Sequence, residues 1–109
     1  METDATTEQL FCRPTLTIRG DGTEVWTLDG RLHRPAGPAI TYPDGVEEWW
    51  YKGQPHRTDG PALVHPDGYA EWWVHGKLHR TDGPAVTDFD GSEEWWLDGR
   101  RVEPFDVAA

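Results

Sequence analysis

Large apolar side chains recur along this chain at a fixed interval, separated by turn formers and charges. Trp26, Trp49, Trp72 and Trp95 follow one another every 23 residues, as do Gly22, Gly45, Gly68 and Gly91, and His33, His56 and His79. The unit reads roughly Asp-Gly-x-x-Glu-Trp-Trp-x-x-Gly-x-x-His-Arg-x-Asp-Gly-Pro-Ala. A period of this size marks stacked repeats, each burying its apolar surface only against its neighbours. Function then belongs to a repeated surface, not to one deep pocket, which favours binding over catalysis.

Inside each unit, two strand-like runs flank a turn. Tyr42-Pro43-Asp44-Gly45-Val46 and His65-Pro66-Asp67-Gly68-Tyr69 have hairpin chemistry. Proline presets φ, aspartate caps the turn and glycine takes the left-handed position. Arg19-Gly20-Asp21-Gly22 and Phe89-Asp90-Gly91 are looser versions. The second run, Val46 to Lys52, ends at Gly53, and Gln54 to Pro61 is expected to return the chain to the next strand. Pro14 to Arg19 stand where Gly37 to Tyr42 stand one unit later, so the array opens on half a repeat. The pattern predicts an all-β fold: an elongated, single-layer antiparallel meander of about eight strands. It is built from about four 23-residue β-hairpin repeats over 14–104, with a flexible lead-in at 1–13 and a tail at 105–109.

Two strands per unit place equivalent residues ~10 Å apart. Tryptophans at that distance cannot pack directly on one another, and the Ala39, Ala62, Ala85 column is expected to fall between them. Alternation puts Trp26, Trp49, Trp72 and Trp95 on one face with Leu28, Tyr51, Val74 and Leu97. Trp50, Trp73 and Trp96 then share the opposite face with Glu48, Glu71 and Glu94. The first column is Trp in every unit and is expected to be structural. In the second column the first unit has Thr27, a looser demand, so that face is the candidate binding surface.

Composition sharpens this picture. The chain has 109 residues, enough for one domain, and only 36% of them are hydrophobic, yet seven are tryptophans. A thin sheet covered by large flat rings reconciles those facts. Acidic residues outnumber basic ones 20 to 10, for a net charge of −10, which would repel nucleic-acid backbones and anionic membranes. The expected partner is a protein with a basic surface. A single cysteine, Cys12, the absence of a signal-like segment at Met1 to Ala5 and the lack of any long apolar run suggest a cytoplasmic protein.

The glycine-bounded aromatic pattern resembles MORN-type repeats, and more closely the repeats of YwqK-type antitoxin-like proteins. The resemblance covers about residues 14–104 and includes Trp-Trp and His-Arg-x-Asp-Gly-Pro-Ala arrays similar to those of small phage, giant-virus and bacterial proteins. MORN repeats usually carry a Tyr where this chain has Trp-Trp, and lack the Asp-Gly-Pro-Ala segment. The resemblance implies an extended hairpin array used for protein contacts and transfers no catalytic residue.

The remaining chemistry is weak. Three histidines ~10 Å apart cannot share a zinc ion that holds its nitrogens at about 2.0–2.1 Å. Each His-Arg pair is better explained as local support, with His capping a loop against an adjacent Trp and Arg pairing with Asp59 or Asp82. In the first unit Pro35-Ala36 replaces Thr-Asp, which frees Arg34 for other contacts. Glu47-Glu48 and Glu93-Glu94 point to opposite faces and cannot form a glycosidase dyad; a solvated or partner-facing role is expected. Cys12 has neither base nor orienting shell. No cofactor and no metal are implied. The expectation is a non-enzymatic acidic inhibitor whose binding residues are Trp50, Trp73, Trp96, Glu48, Glu71, Glu94 and Arg34. The alternative is a carbohydrate- or choline-binding Trp ladder.

Overall fold

The computed structural model describes residues 13–104; the flexible lead-in expected at 1–13, all but its last residue, and the tail at 105–109 lie outside them. Fourteen short strands follow one another: β1 (Thr15–Ile18), β2 (Glu24–Leu28), β3 (Arg31–Leu32), β4 (Ile40–Thr41), β5 (Glu47–Glu48), β6 (Trp50–Tyr51) and β7 (Gln54–Pro55). Then come β8 (Leu63–Val64), β9 (Ala70–Glu71), β10 (Trp73–Val74), β11 (Lys77–Leu78), β12 (Val86–Thr87), β13 (Glu93–Leu97) and β14 (Arg100–Val102). The fold is an elongated antiparallel meander, with extents of 50 × 33 × 22 Å.

The principal sheet runs β1-β2-β4-β5-β8-β9-β12-β13. Its register copies itself from unit to unit: Glu24 faces Thr41, Glu47 faces Val64 and Ala70 faces Thr87. The hairpin turns do the same, pairing Ile18 with Glu24, Thr41 with Glu47, Val64 with Ala70 and Thr87 with Glu93. Gly45 and Gly68 hold φ of 96° and 105°, the left-handed position that the Pro-Asp-Gly turns require. Asp44 and Asp67 cap those turns by accepting from the N–H of Val46 and Tyr69.

The return segment expected at Gln54 to Pro61 instead begins with a strand. Gln54 and Pro55 pair with Tyr51 and Trp50, closing a second hairpin in each unit. Its two-residue loop is Lys52-Gly53, both residues with positive φ (51° and 80°), and Asp29-Gly30, His75-Gly76 and Asp98-Gly99 repeat it. Positive φ at both central positions defines the primed turn that matches strand twist, and Asp-Gly is among its strongest signals. These hairpins also join laterally, since Gly53, Gly76 and Gly99 donate to the carbonyls of Leu32, Pro55 and Leu78, each at 2.9 Å. The run from Val46 to Lys52 is thus divided at Trp49, whose N–H serves Ala62 of the principal sheet while its C=O serves His56 of the second row.

Along the division the Ala column lies between the tryptophans. Trp26 N–H donates to Ala39 O, and Trp49 N–H to Ala62 O, which sets each small residue directly opposite a tryptophan. Ala39, Ala62 and Ala85 are 0–2% exposed. On the opposite face Val25, Ile40 and Val86 are buried as well, so both faces carry packed positions.

Candidate functional site

The His-Arg-x-Asp-Gly-Pro-Ala segment is a loop that turns back over the first Trp column, and its Arg, Asp, Gly and Pro act together. The Arg57 guanidinium lies 3.7 Å from the Trp49 ring centroid, and Arg80 lies 3.9 Å from that of Trp72. Nε of each donates to an aspartate two residues on, Asp59 or Asp82, at 2.9 Å. Nη1 donates to the Pro61 or Pro84 carbonyl at 3.2 Å. A Cβ on Gly60 would stand 2.7 Å from Arg57 Cζ, so glycine is what lets the guanidinium lie there. The expected Arg–Asp pairing is therefore present.

The histidines act differently from the expectation. His33 Nδ1 accepts from Lys52 N–H, His56 from His75 N–H and His79 from Asp98 N–H, at 2.9–3.0 Å. Each imidazole caps the second hairpin of the following unit, not its own loop. That bond spans 19 residues and stitches neighbours together. Burial, then the Lys52 ammonium, holds His33 below the usual imidazole range; burial, then His75, does the same for His56. A depressed folded-state value means that the unfolded chain takes up the proton first as pH falls. Stability from the His33 and His56 caps is present above about pH 6.5 and is lost on acidification. The melting temperature is expected to be level between pH 8 and 7 and to fall from pH 6.5 to 5, with a shallower fall in His56→Asn, whose amide oxygen accepts without titrating. Asp21, Asp59 and Asp90 are lowered from 3.8 and titrate outside that window.

On the opposite face, the sequence-derived residues form three copies of one pair. Trp50 Nε1 donates to Glu48 Oε1 at 2.9 Å, Trp73 to Glu71 at 2.7 Å and Trp96 to Glu94 at 2.9 Å. Tyr42 adds a hydroxyl to Glu48 Oε2 at 3.1 Å, and Tyr69 donates to Glu71. The two tyrosines occupy different positions in the unit, one before and one after the turn, yet reach equivalent carboxylates. Hydrogen bonding to Glu71 pushes the Tyr69 phenol up to about 12, and burial followed by Glu48 raises Tyr42. These carboxylates are therefore fixed acceptors, not freely solvated charges. Their donors are neutral, so the negative charge is ordered without being cancelled. The first unit has Val25 and Thr27 in place of both partners.

Between the second and third units this face holds an apolar groove of about 180 Å³, lined by Trp50, Trp73, Pro55 and Leu63 with Glu48 and Glu71. Trp96 and Glu94 continue the row beyond it. Arg34 is not part of this face, since its guanidinium stacks 4.4 Å over the Trp26 ring centroid with the other loops. The structure thus assembles six of the seven expected residues and leaves Arg34 apart. Trp49 Nε1 is the one buried side-chain polar atom without a hydrogen-bond partner among the described residues. The same residues contain no cluster of three or more His, Cys, Asp or Glu able to hold a metal. No helix among them is long and apolar enough to cross a membrane. No protein-family model, curated protein or solved structure matches the chain.

Proposed function

We propose that this chain is a non-enzymatic, protein-binding repeat module, an acidic inhibitor that occludes a basic surface of its target. The observation that supports the reading most is the threefold Glu–Trp pair, which alternates a half-buried ring with an ordered, uncancelled carboxylate at one interval. Aromatic anchors supply affinity at protein interfaces, and charges steer the encounter. A basic target would place Lys or Arg against Glu48, Glu71 and Glu94 and an apolar side chain in the groove between Trp50 and Trp73. Regular negative charge along a rod also suits mimicry of a nucleic-acid backbone. The setting we propose is cytoplasmic, as a phage counter-defence or antitoxin-like protein of the MORN-like, YwqK-type kind.

The test is affinity capture of the target from the native host, followed by association kinetics with the purified pair. The variant Glu48→Gln/Glu71→Gln/Glu94→Gln keeps an oxygen for each indole N–H but removes the charge. Association is expected to slow at least tenfold at low salt and to lose most of its dependence on ionic strength. An unchanged rate and salt slope would remove this face as the interface. Saturable, salt-insensitive binding to glycans or choline would instead support the carbohydrate reading.

A further inference from the structure

The loops over the first Trp face are alike in shape and unlike in charge. Arg57 and Arg80 each give Nε to an aspartate, but two residues beyond Arg34 stands Ala36. Arg34 otherwise behaves as its counterparts do, stacking on Trp26 and donating Nη1 to Pro38 O at 3.2 Å. Those contacts leave its Nε without an acceptor among the described residues. The place an aspartate would fill opens on a cavity of about 300 Å³ between the first and second loops, where Arg34 and Ala36 face Trp49, Tyr51 and His56. Asp59 also borders the cavity, but its carboxylate is tied to Arg57. The equivalent cavity one unit on is bounded by two complete Arg–Asp pairs and has Val74 where this one has Tyr51.

We propose that this cavity binds a carboxylate, which takes the place beside Arg34 that Asp59 and Asp82 hold beside Arg57 and Arg80. The guanidinium offers a planar fork matched to carboxylate geometry. His56 Nδ1 accepts from His75 N–H, so the neutral ring carries its proton on Nε2 and supplies a second donor to the cavity. The Tyr51 side chain also lines the cavity and supplies apolar ring surface. Arg34, Arg57 and Asp59 together leave the lining one net positive charge, which suits a monoanion better than a phosphate dianion. The volume is at the small end for ligand sites, room for one ring bearing a carboxylate or for one acidic side chain. Because Arg34 lies on the face opposite Trp50 and Trp73, the site stands or falls independently of the protein-binding reading.

The experiment follows the arginine Nε–H signals of the full chain by ¹⁵N NMR during titration with benzoate, with benzamide as the uncharged control. A second titration uses N-acetyl-aspartate methylamide, a mimic of an acidic protein side chain. Saturable movement of the Arg34 signal, with Arg57 and Arg80 still and benzamide inert, is the expected result. Saturation by benzoate alone identifies a small-molecule site, and saturation by the aspartate mimic alone identifies a docking point for an acidic residue. Ala36→Asp completes the internal pair and is expected to weaken binding at least tenfold while preserving the circular dichroism spectrum; Arg34→Gln should abolish it. Uniform movement of all three arginines, or wild-type binding by Ala36→Asp, would overturn the site.

Discussion

Trp49→Ala and Trp72→Ala are each expected to destabilise the fold by about 3 kcal/mol, near the low end for emptying a large aromatic site because the rings are half-buried. The substitution removes the surface on which Arg57 or Arg80 stacks and opens a gap beside the buried Ala62 or Ala85. In a chain of this length the midpoint should drop by on the order of 10 °C or more. Trp50→Ala and Trp73→Ala should cost less, about 1.5 kcal/mol, since each gives up partial burial and one bond to a carboxylate that keeps access to water. Urea denaturation of the four variants measures the difference. Equal losses in both columns would make the second face core and would withdraw the main support for it as a binding surface.

Gly60→Ala and Gly83→Ala should destabilise the fold through the arginine stacks alone. The added methyl would sit 2.7 Å from Arg57 Cζ, or 2.6 Å from Arg80 Cζ, so the guanidinium must leave its ring. Backbone strain does not enter, because neither glycine has positive φ. What is lost is the cation–π contact, worth about 0.5–1 kcal/mol, together with the bond to the proline carbonyl at about 1 kcal/mol. The exposed pair with Asp59 adds little, since its carboxylate is 80% accessible. A total near 2 kcal/mol is expected, against almost nothing for Gly20→Ala, where the methyl meets open space. The decisive measurement is a double-mutant cycle. In an Arg57→Ala background, Gly60→Ala should become nearly silent; a cost that persists would mean that the glycine serves the backbone and not the arginine.

The two hairpins of each unit show how far the chain could be read. Pro43-Asp44-Gly45 announces its turn through a fixed φ, an Asx cap and a residue free of Cβ strain, all local properties. The Lys52-Gly53 and His75-Gly76 turns carry only the glycine, and their strands are two residues long, too short for alternation to register. Asp29-Gly30 and Asp98-Gly99 were the available signal for the hairpin that the return segment conceals. Face assignment of Trp50, Trp73, Trp96 and their glutamates follows from period-two alternation and needed no structure. The bond between each pair did not follow, because it depends on how an indole leans across a strand.

By itself, then, the sequence determined the repeat, the all-β meander, the left-handed Pro-Asp-Gly turns, the Trp–Ala–Trp interleaving and the loss of a carboxylate beside Arg34. Each is either local chain geometry or a consequence of a 23-residue period imposed on a two-residue pleat. Only the tertiary structure decided that the chain hands its hydrogen bonds from one row to another at Trp26, Trp49 and Trp72, and that each histidine caps the next unit's turn. It also decided that both faces hold buried residues. The hydrogen bonds among those contacts join residues 7 to 19 apart in sequence, and the period says that they repeat without saying which atoms meet.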